Sequence, residues 1–172
     1  HMKIVRINEA QEAEDPRDVT VIRDTIHIKS VRVEYKDGNV AHIRISQFGE
    51  DTVTEFNRAV AEVQARNVRG VVVDVRNDPG GILHVVTVIA SKFLPERSVV
   101  VMEQDAQGKR TNLYTTGKNP LVTMPTVVLM NEGSASASEL LAGALRDNRD
   151  DVVLVGKKTF GKGSVQEWIP TS

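Results

Sequence analysis

The chain has no cysteine, which removes disulfides, thiolate nucleophiles and cysteine-ligated zinc together. It has no apolar run of about 18 residues, so no segment reads as a membrane span. Nor does it carry a surplus of either charge: 22 Lys and Arg stand against 23 Asp and Glu, a formal net charge of −1. Nucleic-acid binders usually show a basic surplus or stripe, so no such partner is expected. The four histidines, His1, His27, His42 and His84, have no i, i+4 spacing to another ligand, and no metal site is expected. There is no internal repeat.

What is present is an ordinary globular composition, 40% hydrophobic and 26% charged, in a chain of one-domain size with room for a sizeable core. His1-Met2 reads as the remnant of a tag. An acid-rich stretch beginning at Asn8 reads as a linker, so residues 1–18 are set apart and 19–172 taken as the core domain. β-branched residues then dominate (Val19 to Ile22, Thr25, Ile26, Ile28, Val31, Val33), which is strand composition. They end at a hairpin signal, Lys36-Asp37-Gly38-Asn39. Val40 to Ile45 is the partner strand, with Ala41, Ile43 and Ile45 on one face.

Thr52 and Glu55 have capping-box spacing, and Val53, Phe56, Val60 and Val63 follow at helical intervals. Val71 to Val75 is a short apolar run, as in a strand covered on both faces. Further helices are expected from about Leu83 to Leu94 and Ser136 to Arg146. Further strands are expected at Ser98–Glu103, Arg110–Thr115, Thr126–Met130 and Val152–Val155. The alternation predicts an α/β layered domain with a largely parallel sheet.

Three segments could carry chemistry. Asn77-Asp78-Pro79-Gly80-Gly81 follows a buried strand and opens a helix, where paired glycines let a ligand approach bare amides; it could equally be a tight turn with no ligand. Gly133 to Glu139 places Ser134, Ser136 and Ser138 at a helix N-terminus, whose free amides suit an oxyanion and an attacking serine. Ser136 with Glu139 is also a capping box, which needs no catalytic explanation, and the pattern does not choose among the three serines. In Thr159 to Gln166 a lysine lies between two glycines. If that stretch is extended, Lys162, Ser164 and Gln166 share a face. A free lysine amine, with a pKa of about 10.4, is a poor base at neutral pH; desolvation would release its lone pair for a serine proton. Gln166 could hold the amine without adding charge. Most lysines, however, are simply surface residues. Gly156, Gly161 and Lys162 match phosphate-loop spacing, but Gly163 stands where a hydroxyl is required. A triad of serine, His84 and Asp74 or Asp78 is a weaker alternative, and Asp74 reads as a satisfied buried carboxylate.

The three stretches, Val73 to Gly81, Asn131 to Glu139 and Thr159 to Gln166, resemble in order and separation the signatures of the C-terminal processing (tail-specific) peptidases. The resemblance implies a Clp protease/crotonase-like core of stacked β-β-α units, here trimmed. It makes Ser136 the nucleophile, Lys162 the general base and Gln166 the residue that orients it. The oxyanion hole would be the Ala137 amide with one from Gly80-Gly81. The implied reaction is hydrolysis of unstructured polypeptide C-terminal tails without cofactor or metal, by an enzyme exported to the periplasm or cell envelope. A homo-oligomer is compatible with this reading. On this resemblance the family's PDZ domain, whose exit Asp18–Ser30 resembles, and its C-terminal extension are expected to be missing from this chain. The rival on the same scaffold is a binding protein for a lipophilic ligand or peptide, as in the interphotoreceptor retinoid-binding proteins; an acyl-CoA enzyme of crotonase type is a more distant one.

Overall fold

A computed structural model describes residues 2–9, 11–22, 24 and 29–166. Two short strands, β1 (Met2–Ile4) and β2 (Arg17–Val19), pair antiparallel on their own. The stretch read as a linker is therefore part of a small ladder, closed at its tip by hydrogen bonds between Asn8 and Glu12. Its residues, apolar Met2 and Ile4 included, are almost wholly exposed, so no burial pattern announced it. Thr25, Ile26 and Ile28 of the expected strand, His27, and the final Ile169-Pro170-Thr171-Ser172 lie outside the described residues.

The main sheet has the order β3-β4-β5-β8-β9. Its strands are β3 (Val31–Lys36), β4 (Val40–Ile45), β5 (Gly70–Asp74), β8 (Thr126–Met130) and β9 (Val152–Gly156). β3 and β4 form the antiparallel hairpin that the Asp37-Gly38 turn signals, and every later pairing is parallel. The crossovers are α1 (Thr52–Ala65), α2 (Leu83–Ala90) and α3 (Ala137–Asn148). Each advances the sheet in the same direction, and right-handed crossovers then place all three helices on one face. β3-β4-α1 is a β-β-α unit. Between α2 and β8, β6 (Val99–Gln104) and β7 (Arg110–Tyr114) make a separate hairpin, anchored by buried Val100 and Val101.

The core lies between the sheet and the helices. Ala41, Ile43 and Ile45 on β4 meet Val71 and Val73 on β5 and Val128 on β8, covered by Phe56, Val60 and Val63 of α1 and Leu141 and Leu145 of α3, all buried. The period-two reading of β4 and the helical stripe of α1 are both realised. The other face of the sheet is less covered than the apolar run in β5 led us to expect: Val72 is half-buried, and Val153 and Val155 are exposed. α1 departs from expectation at its start. Thr52 lies inside the first turn, its hydroxyl accepting the Gly49 amide and donating to Ser30 Oγ. Glu55 turns away from the helix end to accept the Ser30 and Val31 amides. The expected Thr52–Glu55 capping box is not formed, because both partners hold the start of β3 instead. Among the described residues no helix is long and apolar enough to cross a membrane.

Candidate active site

β5 and β8 are parallel neighbours, so the turns leaving their carboxyl ends emerge side by side, where ligands of α/β sheets usually sit. Hydrogen bonds stitch the two turns together. Asn77 and Asn131 bond reciprocally, the Asn77 amide to Asn131 Oδ1 and Asn131 Nδ2 to Asn77 Oδ1, both at 2.9 Å. The Ala135 amide donates to the Asp78 carbonyl at 3.0 Å. Gly80, with φ +98°, comes so close that a Cβ there would lie 2.7 Å from Ser136 Cβ and 2.9 Å from the Ala137 nitrogen.

This stitching separates the three serines. Ser134 is fully buried, its hydroxyl donating to the Val75 carbonyl at 2.7 Å and accepting the Asn131 amide. Ser138 is fully buried and donates to the Asp78 carbonyl at 3.0 Å. Both hydroxyls hold the fold together. Ser136 is only half-buried, caps α3, and has φ +53° and ψ −115°, a strained conformation for a residue with a side chain and one that clusters at functional sites. It alone of the three lines the cleft. The capping box with Glu139 is formed, the Ser136 amide donating to Glu139 Oε2 at 2.9 Å.

The third segment does not pair into the sheet. Residues 157–166 run irregularly past the serine turn, held by the Phe160 amide on the Ser134 carbonyl at 3.0 Å and by Glu139. The carboxylate of Glu139 accepts Thr159 Oγ1 and the Gly161 amide on one oxygen, both at 2.6 Å, and the Lys162 amide on the other at 2.9 Å. Burial opposes its ionisation, but these bonds and the one from Ser136 hold its pKa below the ordinary value. The sequence reading stopped at Glu139 as a helix cap and missed this bridge.

Lys162 and Ser136 line one cleft of about 630 Å³, with apolar walls from Val101, Met102, Leu140 and Val165. A smaller adjoining hollow of about 100 Å³ is lined by Ser136, Ala137, Gly81, Lys162, Ser164 and Gln166. Lys162 and Gln166 are exposed, and neither hydrogen-bonds to Ser136 or to the other. Resting sites commonly hold catalytic partners looser than the reacting complex does. The structure thus brings five of the six expected site residues to one hollow and sets Gly80 behind it. The Gly80 amide donates to Asp78 Oδ1 at 2.8 Å. Its neighbour differs: Phe48 pairs with the Gly80 carbonyl and the Ile82 amide, a parallel-bridge pattern that turns the Gly81 amide the other way. The amides of Gly81 and Ala137 donate to no group among the described residues.

The histidine triad is not assembled. His84 is exposed. Asp74 is fully buried and bonded to His42 Nε2 at 3.0 Å and to Arg76 Nε and Nη2. Burial raises its pKa, yet the Arg76 and His42 bonds bring it down to about 2, as the reading of Asp74 as a satisfied carboxylate requires. Asp78 behaves oppositely. It is fully buried with Oδ2 unpartnered, and burial lifts its pKa from the ordinary 3.8 to about 6. Because the folded value lies above the unfolded one, the native state binds the extra proton between these pH values, and stability falls as pH rises through that window. Asp78→Asn removes the charge and keeps an acceptor for Gly80. The variant is expected to be more stable than the parent above pH 6, by about 3 kcal/mol, with the gap closing toward pH 4. Thermal unfolding across pH checks this; a gap of the same size at every pH would refute it.

Comparison with known proteins gives a consistent result. Residues 39–172 match the family model described as peptidase family S41. The carboxy-terminal processing protease CtpA of Bacillus subtilis (strain 168) is 35% identical over 149 residues, 87% of this chain and 32% of that protein. The carboxyl-terminal-processing protease of Synechocystis sp. is 39% identical over 157 residues, 89% of this chain and 36% of that protein. Among solved structures, a photosystem II D1 C-terminal processing protease superposes with a TM-score of 0.73 at 30% identity, over 88% of this chain and 42% of that one. The chain spans about a third of the length of these curated relatives.

Proposed function

The chain belongs to peptidase family S41, and from that membership we propose that it is the core of a serine endopeptidase that cleaves unstructured C-terminal regions of proteins by a Ser136–Lys162 mechanism. The observation that carries this reading is the separation of the serines. Ser134 and Ser138 hold the two turns together, while Ser136 stands strained at a helix N-terminus in the hollow it shares with Lys162.

Lys162, as the neutral amine, takes the hydroxyl proton as Ser136 Oγ attacks the peptide carbonyl. The oxyanion forms against the amides of Ala137 and Gly81, at the positive end of α3. Collapse of the tetrahedral adduct expels the amine, which receives the proton from the Lys162 ammonium. Water, deprotonated by the same lysine, then releases the acyl group from Ser136. Gln166, also lining the hollow, steers the lysine without adding charge. The apolar stretch of the cleft suits small apolar residues of an extended chain. On the same reading the protein acts outside the cytoplasm, in the periplasm or envelope, an expectation that rests on the family resemblance alone.

The test is incubation with a disordered peptide ending in small apolar residues, with products identified by mass spectrometry. Internal cleavage by the parent supports the reading. No cleavage, together with tight titration by a retinoid or fatty acid, would replace it with a binding function.

A further inference from the structure

We infer that Glu139 is a positioning residue, setting the register of the lysine-bearing segment against the serine turn; this rests on the reading of Ser136 and Lys162 as the reacting pair. A carboxylate offers about four acceptor sites, and here four donors occupy them. The Ser136 and Lys162 amides share Oε2, both at 2.9 Å. Thr159 Oγ1 and the Gly161 amide share Oε1, both at 2.6 Å. One side chain therefore holds the backbone of nucleophile and base at once.

Little else does so. Residues 160–166 are exposed and outside the sheet, and among the described residues the remaining ties of this segment to the serine strand and turn are the Phe160 amide on Ser134, the Lys157 amide on Met130 and an exposed ion pair of Lys157 with Glu132 at 3.6 Å, the last worth little in water. Hydrogen bonds to an ionised acceptor are roughly twice as strong as neutral ones, so Glu139 dominates the attachment. It also grips Lys162 by the main chain. Among the described residues no carboxylate pairs with Nζ, where it would favour the protonated amine that cannot act as a base. The register is fixed and the amine is left to the cleft.

Glu139→Gln separates this role from helix capping, because glutamine serves equally at the third position of a capping box. With its oxygen on Ser136 and Lys162, its NH2 group faces the Gly161 amide, donor against donor, and the clamp opens on that side. Expected for Glu139→Gln is an unchanged thermal midpoint, a kcat lower by about 30- to 100-fold, the cost of a base displaced by about 1 Å, and a KM within about threefold of the parent. Amide hydrogen exchange should quicken at Gly161 and Lys162 and stay unchanged within α3. Thr159→Val, which removes one donor, should lose only several-fold in kcat. Parental kcat in folded Glu139→Gln, or unchanged exchange at Gly161 and Lys162, would overturn the inference. Failure of the parent to cleave would count against the peptidase reading alone, since the exchange measurement decides the clamp without catalysis.

Discussion

Ser136→Ala is expected to lower kcat/KM on a disordered peptide by about 10⁴-fold or more, the scale of losing a nucleophile, while costing no more than the loss of a helix N-cap, about 0.5–2 kcal/mol of stability. Ser136 lines the cleft and caps α3, so its loss removes the attacking atom and one cap while leaving the buried core intact. The neighbouring serines should behave in the opposite way. Ser134→Ala strands the Val75 carbonyl and the Asn131 amide, and Ser138→Ala strands one acceptor on Asp78. Each should cost about 1–3 kcal/mol of stability and retain cleavage in the molecules that remain folded. Parallel kinetics and melting curves for the three variants check this. Cleavage surviving Ser136→Ala and lost in folded Ser134→Ala or Ser138→Ala would reassign the nucleophile.

Gly80→Ala should also damage catalysis, less severely than loss of the nucleophile and by a different route. At φ +98° the new side chain is strained, and its Cβ would meet the Ala135 carbonyl and Ser136 Cβ at 2.7 Å and the Ala137 nitrogen at 2.9 Å. These atoms belong to the backbone that carries the nucleophile and one oxyanion donor, so relief of the contact moves the site. A shift of about 1 Å costs on the order of a hundredfold in rate, on top of about 1–3 kcal/mol of strain. Gly81→Ala, whose Cβ would run into the Phe48 carbonyl at φ +150°, should instead compromise folding, because that carbonyl is fixed in a bridge to Ile82. Melting temperature and kcat measured together distinguish the two; parental kcat in Gly80→Ala would show that the turns are not coupled.

The elements with strong local patterns were legible in the sequence. β4 follows from Ala41, Ile43 and Ile45, α1 from its apolar stripe, and the β3–β4 turn from Asp37-Gly38. What escaped depended on partners distant in the chain. Thr52-x-x-Glu55 and Ser136-x-x-Glu139 are the same local pattern, yet only the second closes as a capping box, because Ser30 and Val31 draw Glu55 away. Local pattern could not choose among the serines, which only the family resemblance separated, for the same reason: the acceptors for Ser134 and Ser138 lie on Val75 and Asp78, far back in the chain. Glu139 had a complete local explanation as a cap, which hid its partners Thr159, Gly161 and Lys162. The β1–β2 ladder, short and exposed, buries nothing that a hydrophobic pattern could record.

The central claim, that Lys162 is the base for Ser136, is tested most directly by the rate of peptide cleavage from roughly pH 6 to 10 for the parent and Lys162→Ala. The expected result is cleavage by the parent and negligible cleavage by a folded Lys162→Ala at every pH. Cleavage by Lys162→Ala at the parental rate, with the same pH profile, would contradict it.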